Sequence, residues 1–155
     1  MIDVGDVAPE FRLFSDAGKE VSLSSYRRKK VVLYFYPKDG TPGCIQEAQE
    51  FRDLVRDFDR QNAVILGVSK DSVESHRKFK EKNKLPFTLL SDPGGKVLES
   101  YGVWKKKSLY GRTFMGVERS TFLIDEAGRL QSVYRNVKPK GHAKTCLLNL
   151  PAQKA

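Results

Sequence analysis

The sequence contains few of the residues that usually mark a metal or cofactor site. Its 155 residues include two cysteines, Cys44 and Cys146, and two histidines, His76 and His142. These are too few ligands for a Cys/His metal centre, so we expect no metal and no cofactor. Two cysteines also exclude a scaffold built on disulfide bonds.

Long apolar segments are missing as well. The longest apolar runs, Val31–Tyr36 and Ala63–Val68, have six residues each, whereas a membrane span needs about 20. We therefore expect no membrane partner. The first residues, Met1 to Asp6, are acidic and lack the apolar region of a signal peptide. The predicted location is cytoplasmic.

Positive charge is in excess: 28 Lys and Arg against 19 Asp and Glu give a net charge of +9. Such an excess permits binding to nucleic acids or acidic surfaces. The basic residues lie in scattered groups, however, without zinc-ligand spacing, a helix-turn-helix signal or an aromatic RNA-binding pattern. We expect a solvated basic surface and no nucleic-acid partner. Length and a hydrophobic content of 39% predict one domain over residues 1–155.

The apolar pattern predicts an α/β fold. Val31–Tyr36 and Ala63–Val68 are continuous apolar runs, as in strands buried on both faces, and a helical pattern from about Cys44 to Arg60 separates them. Such a unit places the two strands parallel, with a right-handed crossover. The other expected elements are helices over 71–82, 96–101 and 142–150, and strands over 87–90, 118–124 and 130–135. The result is a central mixed β-sheet flanked by helices.

One loop of this unit lies where α/β proteins place their chemistry. Residues 37–43 follow the carboxyl end of the first buried strand, and Cys44 stands where the loop becomes the helix. Free N–H groups at a helix N-terminus favour a thiolate, but Glu47, Glu50 and Asp53 in the next turns oppose it. A cation from elsewhere in the chain would be needed. Position alone leaves open whether Cys44 is reactive or simply a small buried residue.

A longer segment around this cysteine resembles the active site of a known family. Residues 36–44 read Tyr-Pro-Lys-Asp-Gly-Thr-Pro-Gly-Cys, and Pro37, Thr41 and Cys44 meet the Pro-x-x-x-Thr-x-x-Cys pattern of the peroxiredoxins. Further segments in register resemble the bacterioferritin comigratory protein (peroxiredoxin Q) subfamily: residues 5–11, 67–72, 87–92, 101–104 and 119–125. The resemblance implies a thioredoxin-like fold. It also implies thiol-dependent reduction of hydrogen peroxide or organic hydroperoxides without a cofactor.

The resemblance also implies residue roles. Cys44 is the peroxidatic nucleophile, which peroxide converts to a sulfenic acid. Thr41 offers its hydroxyl to the peroxide, Pro37 shields the thiolate, and Arg119 supplies the missing cation. Without the resemblance, Thr41 could equally be a helix cap and Arg119 an ordinary surface ion-pair residue. Glu47 would orient arginine groups or favour the helix start.

The sequence departs from the subfamily at the resolving cysteine. Many members carry it five residues after the peroxidatic one, where this chain has Gln49, and others carry it in the next helix, where residues 71–82 contain no cysteine. Ile45 stands where a threonine is common. Cys146 falls on the apolar face of the predicted last helix, which favours packing over a resolving role.

We therefore expect a one-cysteine cycle, in which an external thiol reduces the sulfenic acid. Thioredoxin, glutaredoxin and glutathione are all candidate reductants, and the sequence does not separate them. The alternative function is a peroxide sensor or redox relay, in which oxidised Cys44 passes its oxidation to a partner protein. We expect a monomer or a weak dimer.

Overall fold

The computed structural model describes residues 1–151, and the last four residues of the predicted domain lie outside this part. The strands are β1 (Arg12–Ser15), β2 (Glu20–Ser22), β3 (Lys30–Phe35), β4 (Ala63–Ser69), β5 (Thr88–Ser91), β6 (Trp104–Leu109), β7 (Arg112–Val117), β8 (Ser120–Ile124) and β9 (Leu130–Tyr134). The α-helices are α1 (Pro42–Asp53), α2 (Val55–Arg60), α3 (Val73–Asn83), α4 (Lys96–Ser100) and α5 (His142–Leu148). None of these helices is long and apolar enough to cross a bilayer.

Seven of the strands form one mixed sheet in the order β2-β1-β5-β4-β3-β8-β9. Strands β3, β4 and β5 run parallel, and β8 pairs antiparallel with the other edge of β3. In this register Leu33 lies opposite Leu66 on one side and Phe122 on the other. The predicted parallel strand–helix–strand unit and mixed sheet are confirmed, and β3 is buried along its whole length.

Strand β3 separates two apolar layers, because successive side chains of a strand point to opposite faces. Leu33 belongs to the layer that contains Leu98 of α4. Tyr34 belongs to the opposite layer, where its ring stacks on Phe51 of α1 with centroids 4.7 Å apart. Cys44 is part of this second layer. The sheet thus places the cysteine on the face that α1, α3 and α5 cover.

The predicted helix over residues 44–60 is wrong in two details. It begins at Pro42, so that Cys44 lies inside the first turn, and it breaks at Leu54 (φ −106°, ψ 6°) to give α1 and α2. Proline is favoured at the start of a helix because an N–H there would have no partner. The predicted strand over 118–124 begins at Ser120 instead, so Arg119 precedes β8.

The apolar pattern does not predict β1, β2 or the ribbon of β6 and β7, which pair with each other outside the main sheet. The ribbon contains the run Lys105–Lys107 and is largely exposed, so it lacks the apolar alternation by which strands are recognised. Tyr110 and Gly111 join its strands with φ of 50° and 76°. Positive φ at both residues is typical of a two-residue hairpin turn.

Candidate active site

Cys44 lies in the first turn of α1, directly after the loop that follows β3, and is 1% exposed. The first i to i−4 hydrogen bond here runs from the Ile45 N–H to the Thr41 carbonyl at 2.9 Å. The N–H groups of Gly43 and Cys44 therefore have no acceptor within the helix. They give this turn the partial positive charge of a helix N-terminus.

The structure brings Arg119 into contact with Cys44. Its Nη2 donates to Cys44 Sγ at 3.4 Å, and its Nη1 donates to Glu47 Oε1 at 2.7 Å. The Arg119 side chain is only 14% exposed, so it is not a surface ion-pair residue. Burial lowers the pKa of Arg119, but the negative charges of Glu47 and Cys44 outweigh that effect and raise it. The guanidinium therefore stays charged beside the sulfur.

Glu47 positions this guanidinium from the buried side. Its side chain is fully buried, and Oε2 has no hydrogen-bond partner among the described residues. Burial raises the pKa of Glu47 to about 7, against the opposing charge of Arg119. Of the two roles expected for Glu47, the structure therefore favours the orientation of an arginine. The ion pair also becomes sensitive to protonation near neutral pH.

Gly43 allows the close approach of Arg119 to the helix. A Cβ atom at Gly43 would lie 3.1 Å from Arg119 Nη2 and 3.3 Å from Pro139 Cγ. Any larger side chain would therefore press on the guanidinium that contacts Cys44. This role was not predicted from the sequence, although a glycine directly before the candidate nucleophile was a signal for it.

Thr41 and Pro37 belong to the loop before α1. Thr41 occupies the N-cap position, but its side chain makes no capping hydrogen bond. Its hydroxyl donates instead to the Lys38 carbonyl at 2.8 Å. The capping interpretation is therefore wrong, and the hydroxyl oxygen keeps lone pairs that can accept a hydrogen bond. Pro37 is half-buried and lines, together with Arg119, an open cleft of about 440 Å³.

A buried hydrogen-bond network, which the sequence analysis missed, holds this loop in place. The Asp39 carboxylate accepts hydrogen bonds from Tyr36 Oη at 2.6 Å and Ser75 Oγ at 2.9 Å. It also pairs with His76 Nδ1 at 2.6 Å. His76 Nε2 lies 2.9 Å from the Leu90 carbonyl, and because a carbonyl only accepts, this nitrogen carries a proton. The network ties the loop to α3 and β5.

Asp39, Asp71 and His76 are also the described residues whose geometry comes nearest to a metal site. Their ligand atoms lie within 4.8 Å of one another. The Asp71 carboxylate, however, accepts from the Asp39 N–H at 2.8 Å and from Ser69 Oγ at 2.6 Å. These polar atoms are therefore already used in hydrogen bonds, and the cluster is explained by its role in holding the loop.

Cys146 is packed in the core, on α5. Its Sγ lies 3.4 Å from His142 Nε2, which in turn lies 2.7 Å from Thr121 Oγ1. Burial raises the pKa of Cys146 to about 12. Burial and the charge of Arg119 lower the pKa of His142 to about 4. Both side chains are thus neutral at pH 7, and within residues 1–151 no cation contacts the Cys146 sulfur as Arg119 contacts that of Cys44.

Comparison with known proteins identifies the class to which this fold and site belong. The family model of the AhpC/TSA family matches residues 4–133, and the chain belongs to this family. It is 52% identical over 149 residues to peroxiredoxin Bcp of Bacillus subtilis, covering 96% of this chain and 95% of that protein. It is 40% identical over 141 residues to peroxiredoxin Bcp of Escherichia coli, covering 91% and 90%. The chain is therefore a peroxiredoxin of the Bcp type, a thiol-dependent peroxidase.

Solved structures agree with this assignment. The bacterioferritin comigratory protein of Xanthomonas campestris superposes with a TM-score of 0.88 at 38% identity, over 94% of this chain and 96% of that one. A cysteine-to-serine mutant of Xylella fastidiosa PrxQ superposes with a TM-score of 0.91 at 39% identity, over 96% and 94%. The expected thioredoxin-like fold is thereby confirmed.

Proposed function

We propose that Cys44 is the peroxidatic nucleophile of this peroxidase and that peroxide oxidises it to a sulfenic acid. The observation that carries the proposal is the 3.4 Å contact between Arg119 Nη2 and Cys44 Sγ. The nucleophile that attacks peroxide is the thiolate rather than the thiol. A fixed positive charge at this distance, added to the helix N-terminus, stabilises the thiolate that attacks peroxide.

The chemical step moves negative charge through this site. The Cys44 thiolate attacks one peroxide oxygen, the O–O bond breaks, and the sulfur becomes S–OH. The second oxygen leaves with the bonding electron pair as hydroxide or alkoxide, which takes a proton from solvent. Fixed donors are needed on both sides of this transfer. Arg119 and the first-turn N–H groups of α1 are such donors beside the sulfur.

Thr41 and Pro37 complete the proposed site. The Thr41 hydroxyl donates its proton to the Lys38 carbonyl, so its oxygen accepts a hydrogen bond from the O–H of the peroxide. This direction is the reverse of the sequence-based expectation that Thr41 donates to the substrate. Pro37 shields the thiolate from bulk water at the edge of the cleft that it lines with Arg119.

The substrates proposed are hydrogen peroxide and organic hydroperoxides. The Xanthomonas campestris relative has alkyl peroxide reduction activity. In this chain, the open cleft of about 440 Å³ beside Arg119 leaves room for the organic group of a hydroperoxide.

We infer a one-cysteine cycle for the return to the thiol. A resolving cysteine must attack as a thiolate, whereas burial raises the pKa of Cys146 to about 12. Position 49 is a glutamine, and residues 71–82 contain no cysteine. The Cys44 sulfenic acid therefore condenses with an external thiol to a mixed disulfide, with loss of water. A second thiol then releases Cys44 and leaves as the disulfide of the reductant.

Peroxide consumption with dithiothreitol tests this function when Cys44→Ser and Cys146→Ser are compared with the parent protein. We expect Cys44→Ser to lose more than nine-tenths of the rate, because a serine hydroxyl is not ionised near pH 7. Limiting peroxide should give a sulfenic acid at Cys44 that a dione reagent traps, seen by mass spectrometry. A Cys44–Cys146 disulfide as the main product would contradict the one-cysteine cycle. Oxidation of Cys44 without sustained turnover would favour the peroxide sensor.

A further inference from the structure

We propose that the cleft beside Arg119, the residue that contacts Cys44, is a binding site for a carboxylate group, so that the enzyme prefers small anionic reaction partners. The ligand is a carboxylate-bearing thiol or a carboxylate-bearing hydroperoxide. This inference rests on the proposed function, because the ligand must present its sulfur or its peroxide group to Cys44. It goes further by assigning the chemical class that the cleft selects.

The cleft connects the β6–β7 ribbon with the proposed site. Arg119 and Pro37 line its volume of about 440 Å³ together with Lys105, Lys106, Lys107 and Ser108 of β6. Small-molecule sites in proteins typically have volumes of about 300–1,000 Å³. The cleft is thus of a size for a small ligand, whose reactive group would lie beside Arg119.

The charges that line the cleft favour an anion. Lys105, Lys106, Lys107 and Arg119 line it, against one acidic residue, Glu118. Within residues 1–151, the salt bridges involve none of these three lysines. Cations gathered at a concave surface raise the local concentration of an oppositely charged ligand. Serine and asparagine side chains that also line the cleft add uncharged donors for a carboxylate.

The ribbon holds two of these lysines toward one face. Lys105 and Lys107 are two residues apart in β6 and therefore point to the same side, where both are half-buried, whereas Lys106 is exposed. Gly116 of β7 lies opposite Lys105 in the register. A Cβ atom at Gly116 would lie 3.2 Å from Lys107 Cδ. The methylene chain of Lys107 thus packs over Gly116 of β7. This contact limits the conformations that its ammonium group can adopt when it binds a ligand.

The test compares reaction partners of similar size and different charge. One arm follows the reduction of the Cys44 sulfenic acid by 3-mercaptopropionate, 2-mercaptoethanol and cysteamine, with each rate expressed per thiolate. The other arm follows Cys44 oxidation by neutral tert-butyl hydroperoxide and by a tertiary hydroperoxide with a carboxylate, such as 4-hydroperoxy-4-methylpentanoate. We expect the anionic partner to react at least about fivefold faster than the neutral one at low ionic strength. About 0.5 M salt should abolish most of this preference.

Matched double variants distinguish the effect of the lysines in the cleft from the effect of the net charge of the protein. Lys105→Gln/Lys107→Gln should bring the anion preference down to about twofold, the remainder being due to Arg119. Lys19→Gln/Lys29→Gln removes the same charge and should keep the full preference. Lys29 directly precedes β3, at the end of that strand away from Cys44, and Lys19 lies in the β1–β2 turn.

A preference in either arm that falls to about twofold in Lys105→Gln/Lys107→Gln supports the proposal, and the arm in which it occurs identifies the ligand. Equal rates for anionic and neutral partners in the parent protein would overturn it. So would a preference that survives unchanged in Lys105→Gln/Lys107→Gln. Neutral tert-butyl hydroperoxide distinguishes the two levels of inference. If charge has no effect and hydrogen peroxide oxidises Cys44 normally, only the carboxylate site is refuted; if neither tert-butyl hydroperoxide nor hydrogen peroxide oxidises Cys44, the nucleophile assignment fails as well.

Discussion

Replacing Arg119 by lysine should slow the oxidation of Cys44 although the charge is kept. The guanidinium contacts two atoms at once, Cys44 Sγ at 3.4 Å and Glu47 Oε1 at 2.7 Å. A lysine ammonium is a single point charge without the planar fork that makes these two contacts. Because the Glu47 contact is shorter and buried, we expect the introduced ammonium to pair with Glu47 and leave the sulfur.

The size of the effect follows from the sulfur contact. Two unit charges 3.4 Å apart attract each other by roughly 5 kcal/mol at an effective dielectric constant of about 20. Only part of this is lost in the rate, because the attraction stabilises the reactant thiolate as well as the transition state. Removal of one fixed donor from a site of developing negative charge typically slows a reaction about 10²–10³-fold. We expect about that loss for Arg119→Met and a loss of roughly 10–100-fold for Arg119→Lys.

The assay is the single-turnover rate constant of Cys44 oxidation by hydrogen peroxide at fixed pH. Arg119→Met leaves the Glu47 carboxyl group buried without its partner, so Glu47→Gln/Arg119→Met serves as the variant that keeps the fold. Arg135→Lys is the matched control, because Arg135 Nη1 donates to the carbonyls of Tyr101 and Gly102 at 3.2 Å rather than to the site. An oxidation rate of Arg119→Lys equal to that of the parent protein would refute the bridging role.

Three further predictions concern the surroundings of the site. Burial raises the pKa of Glu47 from 4.5 to about 7, so the folded protein holds this proton more tightly than the unfolded chain does. As the pH rises from about 4.5 to 7, the parent protein should therefore lose on the order of 3 kcal/mol of unfolding free energy relative to Glu47→Gln. Urea denaturation at several pH values measures this, and a constant difference would count against the buried carboxyl. Cys146→Ser should keep dithiothreitol-driven turnover within about twofold of that of the parent protein. A larger loss would indicate that Cys146 takes part in the catalytic cycle. Asp39→Asn weakens the pairing with His76 and should lower the free energy of unfolding by about 1–3 kcal/mol. The amides of residues 37–44 should exchange hydrogen faster in Asp39→Asn than in Ser75→Ala. Unchanged exchange there would show that the network does not hold the loop.

Local sequence signals are enough to predict the elements around Cys44. Strands β3 and β4 are recognisable because both of their faces are buried, which demands unbroken apolar runs such as Val31–Tyr36. The loop before α1 is recognisable from Pro37, Gly40 and Pro42, whose backbone preferences are local. The position of Cys44 at the helix start follows from the same local signals. Resemblance to the peroxiredoxins then connected this cysteine with Thr41 and the distant Arg119.

The surroundings of the Cys44 sulfur, in contrast, depend on contacts between residues that are distant in sequence. Arg119 reaches Cys44 across 75 positions of sequence, and it does so because β8 pairs with β3 in the sheet. Glu47 is buried because α5 packs against α1. Without this burial it would be an ordinary helix carboxylate, whereas here it pairs with Arg119 and positions it. The pairing of Asp39 with His76 likewise requires α3 to cover the loop. Such contacts cannot be predicted from local sequence patterns, because each depends on which elements become neighbours when the sheet assembles.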